Sequence, residues 1–194
     1  MGQEFELKFA ATEKKQAAVL AAYGPWRTIA METTYFDTSD RALSRRHITL
    51  RLRKENGETV CTVKTPLPDG SRGEWECLCD DISAGIAQLC RMGAPEQIAI
   101  LTEGGVEAVC GARFTRQACD LHLEGAGAEL ALDAGVLLGG GREIPLCEIE
   151  VELKSGSRSR VQQFAAELAD MYRLLPEQKS KFRRAMVLAE EAQR

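Results

Sequence analysis

The sequence of 194 residues predicts an α+β domain: one antiparallel sheet curled into a barrel, with helices outside and charged side chains within. Three observations carry that prediction. Several strand-like segments hold charge at every second position, with apolar residues between. Amphipathic helical segments are present that need an apolar sheet surface to cover. The segments are joined mostly by hairpin turns, and about eight antiparallel strands so connected favour closure, because closure removes exposed edges.

Residues 3–9 alternate strictly, with Phe5, Leu7 and Phe9 on one face and Glu4, Glu6 and Lys8 on the other, which predicts a strand. Residues 12–23 carry alanines, Val19 and Leu20 at helical spacing after a Thr12 cap, and Gly24-Pro25 ends that helix. Strands are predicted at 33–36, 48–54, 58–65 and 71–79. They are separated by turn formers at Asn56-Gly57 and at Pro66-Leu67-Pro68-Asp69-Gly70. Residues 82–109 read as two or three short helices. Strands resume at 114–123, 129–134 and 146–154, with turns at Glu124-Gly125 and Gly139-Gly140-Gly141, and 161–172 and 181–192 are closing amphipathic helices. No linker, repeat or low-complexity tract divides the chain, so residues 1–194 are read as a single domain.

Taken alone, a strand such as Glu148-Ile149-Glu150-Val151-Glu152-Leu153-Lys154 is an ordinary half-solvated strand, charged side out. The helices reverse that orientation, since they must cover the apolar face. The charged face then becomes the barrel interior. Candidate acids inside are Glu4, Glu6, Glu74, Glu76, Asp133, Glu148, Glu150 and Glu152; candidate bases are Lys8, Arg51, Arg53, Lys64, Arg116, Lys181 and Arg184. Buried carboxylates must be paired, metal-bound or protonated. Two divalent cations and a triphosphate of roughly four to five negative charges would bring the cavity near neutrality, and neither ligand alone does so as well. Carboxylates suit Mg²⁺ or Mn²⁺, while guanidinium and ammonium groups suit phosphate oxygens.

Composition excludes several classes. A net charge of −4 argues against a general nucleic-acid binder. No apolar run approaches the roughly 20 residues of a membrane-spanning helix, and the first residues lack a secretory signal, so the expected location is the cytoplasm. The seven cysteines show no zinc spacing and read as reduced, buried filler, Cys77 and Cys79 included. His47 and His122 lie in no catalytic motif, and no Gly-rich loop precedes Lys-Ser or Lys-Thr.

Glu4-Phe5-Glu6-Leu7-Lys8 resembles the Glu-x-Glu-x-Lys signature of the CYTH superfamily, the triphosphate tunnel metalloenzymes. Further matches follow in the family's order: Tyr35-Phe36-Asp37-Thr38, Leu50-Arg51-Leu52-Arg53, Thr62-Val63-Lys64, Arg72-Gly73-Glu74-Trp75-Glu76, Leu132-Asp133-Ala134-Gly135, Glu148 to Leu153, and Ser180-Lys181 to Arg184. The likeness is closest to the N-terminal domain of bacterial inorganic triphosphatases, where a helical CHAD domain often follows; this chain stops about where that domain would begin. The resemblance implies an eight-stranded tunnel, Mg²⁺ or Mn²⁺ dependence and a small-molecule triphosphate substrate. On that basis Glu4, Glu6 and Lys8 are the candidate catalytic groups. The candidate bases would grip phosphate, and the glutamates with Asp133 would hold metal. Hydrolysis of inorganic tripolyphosphate is favoured because the predicted inward positions hold no aromatic residue, although Tyr35 and Phe36 could reach a base at the mouth. The alternatives are thiamine triphosphate hydrolysis, a class IV type adenylate cyclase, and a polyphosphate-binding module without turnover.

Overall fold

Phe5 cuts the N-terminal strand into β1 (Gly2–Glu4) and β2 (Glu6–Ala10). The computed structural model describes residues 2–68 and 71–192. After α1 (Glu13–Ala22) come β3 (Arg27–Asp37), β4 (Thr49–Glu55), β5 (Glu58–Pro66) and β6 (Arg72–Leu78). Helices α2 (Ile82–Arg91) and α3 (Gln97–Thr102) follow, then β7 (Glu107–Leu123), β8 (Ala126–Gly139) and β9 (Arg142–Gly156). The chain ends with α4 (Arg158–Tyr172), a short β10 (Leu175–Pro176) and α5 (Lys181–Glu191).

Among the described residues all strands join one antiparallel sheet, in the order β1-β6-β5-β4-β3-β7-β8-β9-β2-β10. The expected closed, eight-stranded barrel is therefore corrected to ten strands in a ladder that does not close. β1 pairs with β6 and β2 with β9, so the two flanks of the sheet are tied covalently through Phe5 rather than by a continuous ladder. The edge of β2 instead takes β10, with Leu175 opposite Ala10 and Pro176 opposite Phe9. Alternation in a sequence fixes which face a side chain takes; it carries no information about which edges meet.

Turn chemistry places the hairpins as expected. Asn56 and Gly57 both have positive φ, as do Gly140 and Gly141, which is the requirement of a two-residue turn that matches strand twist. The expected turn at Asp69-Gly70 lies outside the described residues. Strands β3, β7, β8 and β9 run well beyond the predicted spans, because long cross-strand pairings recruit polar residues that lack alternation. Arg27, at the start of β3, pairs with Asp120 at 2.6 Å and Glu129 at 3.1 Å. Residues 82–102 form two helices, the first capped by Asp81, whose carboxylate accepts from the Ala84 N–H at 2.7 Å. The strand already begins at Glu107, within the stretch expected to be helical.

The apolar strand faces turn outward beneath four helices. Phe9, Leu130, Leu132, Ile149 and Val151 are buried with Val19 of α1 and Val161, Ala165 and Leu168 of α4. Leu50, Cys61, Val63, Trp75 and Cys77 are buried with Leu89 of α2 and Ile98 of α3. Helix α5 departs from the expected external packing. Ala185 clusters with Ala112, Phe114, Leu137 and Leu146, which by strand alternation share the inner face with Arg116, Asp133 and Glu148. Helix α5 thus enters the bore and stops one end of it. Gly139 permits that approach, since a Cβ there would lie 2.4 Å from the Ala185 carbonyl oxygen. Amphipathicity tells that 181–192 needs an apolar surface, not which of two such surfaces it takes.

Candidate functional site

Pairing between β7, β8 and β9 sets Arg116 opposite Asp133, and Asp133 opposite Glu148, on the inner face. Arg116 donates to both oxygens of Asp133, at 2.8 and 2.7 Å, and to Glu150 at 2.5 Å. That is the planar fork that suits guanidinium and carboxylate. Ser180 caps α5 by accepting from the Arg183 N–H at 3.1 Å, which sets Lys181 in the first helical position. The Lys181 ammonium lies 2.8 Å from Asp133, 2.6 Å from Glu148 and 2.6 Å from Glu150. Arg184, one turn on, pairs with Glu148. Three carboxylates and three cations therefore balance within the wall. Gln16 of α1 ties it from behind, donating to the main-chain oxygens of Asp133 at 2.9 Å and Glu148 at 2.8 Å.

Burial alone would raise the Glu150 carboxyl, but Lys181 and then Arg116 overturn this and hold it well below its ordinary value. Burial likewise opposes the Lys181 charge, and Glu150, Asp133 and Glu148 together drive it well above the usual range. Glu148 goes the other way: burial raises it more than Lys181 lowers it. In linkage terms, Glu150 contributes stability that is present above the ordinary carboxylate value near 4.5 and is lost as pH falls below it. Glu148 contributes stability present at low pH and lost as pH rises. Urea unfolding in EDTA should accordingly weaken on acidification from about pH 5 to pH 3, with a shallower decline in Glu150→Gln. Equal slopes in the two proteins would remove Glu150 as the source.

In front of this wall lies a cavity of 280 Å³. Its lining includes Glu4, Glu6 and Lys8 from the split first strand, Arg51 and Arg53 from β4, and Lys64 from β5. Glu74 and Glu76 of β6 and Glu150 and Glu152 of β9 complete much of the rim. Pairing here is looser. Lys64 holds Glu4 at 2.5 Å and Glu74 at 3.0 Å, and Lys8 holds Glu6 at 3.2 Å. Arg51 stands 3.8 Å from Glu74 and 3.7 Å from Glu76, and its buried Nε has no hydrogen-bond partner among the described residues. Arg53 donates to Thr33 at 3.2 Å; burial and then Arg51 lower its pKa. A buried guanidinium that lacks full pairing within the protein is costly by itself and well matched to an anion.

Every charged position singled out in the sequence thus turns to the inner side of the sheet or to the α5 turn beside it. Asp133, Glu148 and Arg184, however, do not line the cavity; they sit in the wall, Asp133 held by Arg116 and Lys181 and Glu148 by Lys181 and Arg184. Sequence reasoning missed Arg72 and Glu129, which do line it. Both were legible from alternation, Arg72 two residues before Glu74 and Glu129 in phase with Asp133. The expectation that no aromatic ring faces inward is also corrected: Tyr35 and Phe182 line the cavity, their rings 5.1 Å apart. Tyr35 shares the inner face with Thr33, whereas Phe182 is inward only because α5 enters the bore.

Oxygen atoms of Asp133, Glu148 and Glu150 lie within 4.8 Å of one another, all buried, a hard-donor cluster of the kind that suits Mg²⁺ or Mn²⁺. The Lys181 ammonium already touches all three. Cys61 and Cys77 face outward into the apolar cluster. Burial, with Cys77 beside it, pushes the Cys61 thiol up to about 12, consistent with filler. No helix among the described residues is long and apolar enough to cross a membrane.

Comparison with known proteins bears directly on this arrangement. The profile of the CYTH domain matches residues 2–186. An inorganic triphosphatase of Haemophilus influenzae is 30% identical over 167 residues, covering 81% of this chain and 47% of that protein. The chain thus spans about half the length of that curated relative. Among solved structures, a candidate adenylate cyclase from Bacillus halodurans aligns with a TM-score of 0.61 at 15% identity, over 94% of this chain and 98% of that one. A protein from Pyrococcus horikoshii aligns at 0.60 and 22% identity, over 96% and 99%. At these identities the structural matches establish the fold.

Proposed function

The chain belongs to the CYTH family, and on that premise we propose that its cavity binds inorganic tripolyphosphate with Mg²⁺ or Mn²⁺ and hydrolyses it to pyrophosphate and phosphate. The observation that carries this reading is Arg51, a buried guanidinium whose Nε has no partner among the described residues, in a cavity where Arg53, Lys64 and Arg72 also converge. Such a set calls for an anion of several charges. The activity of the Haemophilus relative supports the same substrate class.

Arg51, Arg53, Lys64 and Arg72 grip the phosphate chain, and Lys8 approaches from β2. Among the acids, Glu4 is engaged by Lys64, whereas Glu6 pairs among the described residues with Lys8 alone and is partly exposed. Glu6 therefore takes the proton of the water that attacks a terminal phosphorus, and pyrophosphate departs as the bridging P–O bond breaks. Lys8 keeps Glu6 oriented. Glu4, Glu6, Glu74, Glu76, Glu150 and Glu152 face the cavity and would hold the divalent ions. Asp133 and Glu148 would join them only if Lys181, which now pairs with both, were drawn to phosphate. A bound ion supplies positive charge against the non-bridging oxygens and acidity toward water.

Tyr35 and Phe182 favour a second reading, an organic triphosphate stacked at the α5 end. Their rings pack on each other and are only 3% and 9% exposed, which leaves little face for a base or a thiazolium. Inorganic tripolyphosphate remains the better fit. Phosphate release from tripolyphosphate, ATP, thiamine triphosphate and pyrophosphate, each with Mg²⁺ and with Mn²⁺, tests the choice. Tripolyphosphate is expected to be fastest. Faster formation of cyclic AMP from ATP would overturn the assignment, and tight binding without turnover would leave a polyphosphate-binding module.

A further inference from the structure

Because the sheet does not close, a second cavity of 920 Å³ opens at the seam where the first strand passes from β6 to β9. It shares Glu4, Glu6, Lys8, Thr49, Arg72 and Phe182 with the inner cavity, so the two are continuous. Its acids are already neutralised: Glu4 by Lys64, Glu6 by Lys8, and Glu177 by Arg184 at 3.7 Å. Three of its cations are not. Among the described residues Arg72, Arg158 and Lys179 have no carboxylate partner. Arg158 lies 4.1 Å over the Phe5 ring, and Arg72 is held by oxygens of Thr49, His47 and Lys64. Arg45 and Arg183 add charge at the rim, each paired with an acid of its own, Asp40 and Glu190.

From this we infer that the seam is an outer anion subsite, which receives the phosphoryl units of a linear polyphosphate that extend beyond those in the inner cavity. The inference rests on the triphosphate reading of the inner site and deepens it. A chain anchored inside at Arg51 and Arg53 emerges past Arg72 and meets Arg158 and Lys179 as an intramolecular ligand, without a second association cost. Uncompensated cations beside a continuous bore select for an extended polyanion over a compact one.

Arg158 and Lys179 are exposed and lie outside the catalytic set, so Arg158→Ala with Lys179→Ala should fold normally. Isothermal titration in EDTA, where no turnover occurs, compares tripolyphosphate with a polyphosphate several times longer. The wild-type protein is expected to bind the longer chain roughly tenfold more tightly per chain. The double variant should lose that preference while keeping its affinity for tripolyphosphate. Equal affinities in the wild type, or an unchanged preference in the variant, would overturn the subsite. So would an oligonucleotide of equal charge that binds as tightly as the long chain. If the preference holds but tripolyphosphate is not hydrolysed, the function falls and the subsite stands; hydrolysis without the preference has the opposite meaning.

Discussion

Lys181→Met is expected to destabilise the metal-free protein by about 3–5 kcal/mol, the cost of leaving buried charge without its partner. Asp133, Glu148 and Glu150 share that single ammonium at 2.6 to 2.8 Å, and each is at least nine-tenths buried. Arg116 and Arg184 cannot replace it, since both are already committed to the same carboxylates. The methionine keeps the aliphatic length of the side chain, so packing of α5 is largely preserved and the charge is what is removed. Thermal unfolding in EDTA measures the loss. Adding Mg²⁺ or Mn²⁺ should then raise the melting temperature of the variant more than that of the wild type, because the vacated cluster offers three hard oxygens to a cation. A variant as stable as the wild type would refute the network as a determinant of the fold. A variant indifferent to metal would exclude Asp133, Glu148 and Glu150 as a cation site.

Glu6→Gln is expected to lower tripolyphosphate turnover by roughly a hundredfold or more, a loss typical of removing one charged group from a phosphoryl-transfer site. Stability should change by only about 0.5 kcal/mol, since Glu6 is part-exposed and among the described residues has one ion pair, with Lys8 at 3.2 Å. That separation of activity from stability is the informative result. Glu150→Gln offers no such separation: Glu150 both lines the cavity and holds Arg116 and Lys181, so its loss reduces activity and folding together. Steady-state phosphate release and urea unfolding on both variants decide the matter. Full activity in Glu6→Gln would remove it as the proton acceptor and leave Glu4 or Lys8 to be considered.

Much of this protein was legible from residue order. Glu4-x-Glu6-x-Lys8, Arg51-x-Arg53 and Glu148-x-Glu150-x-Glu152 each assign their own faces, because alternation along a strand is a local property of the backbone. The need of four helices for an apolar cover then turned those faces inward. Asn56-Gly57 and Gly140-Gly141 placed hairpins for equally local reasons, their positive φ values being open to few residue types. Tertiary structure alone decided how the charges are shared. It committed Asp133 and Glu148 to Lys181 and Arg184 and left Arg51 short of partners. It sent α5 into the bore, bringing Phe182 inward, and left the ladder open at Phe5, which exposes the basic seam. Each of these depends on contacts between residues far apart in the chain, where several pairings satisfy the same local pattern and only the packed whole selects one.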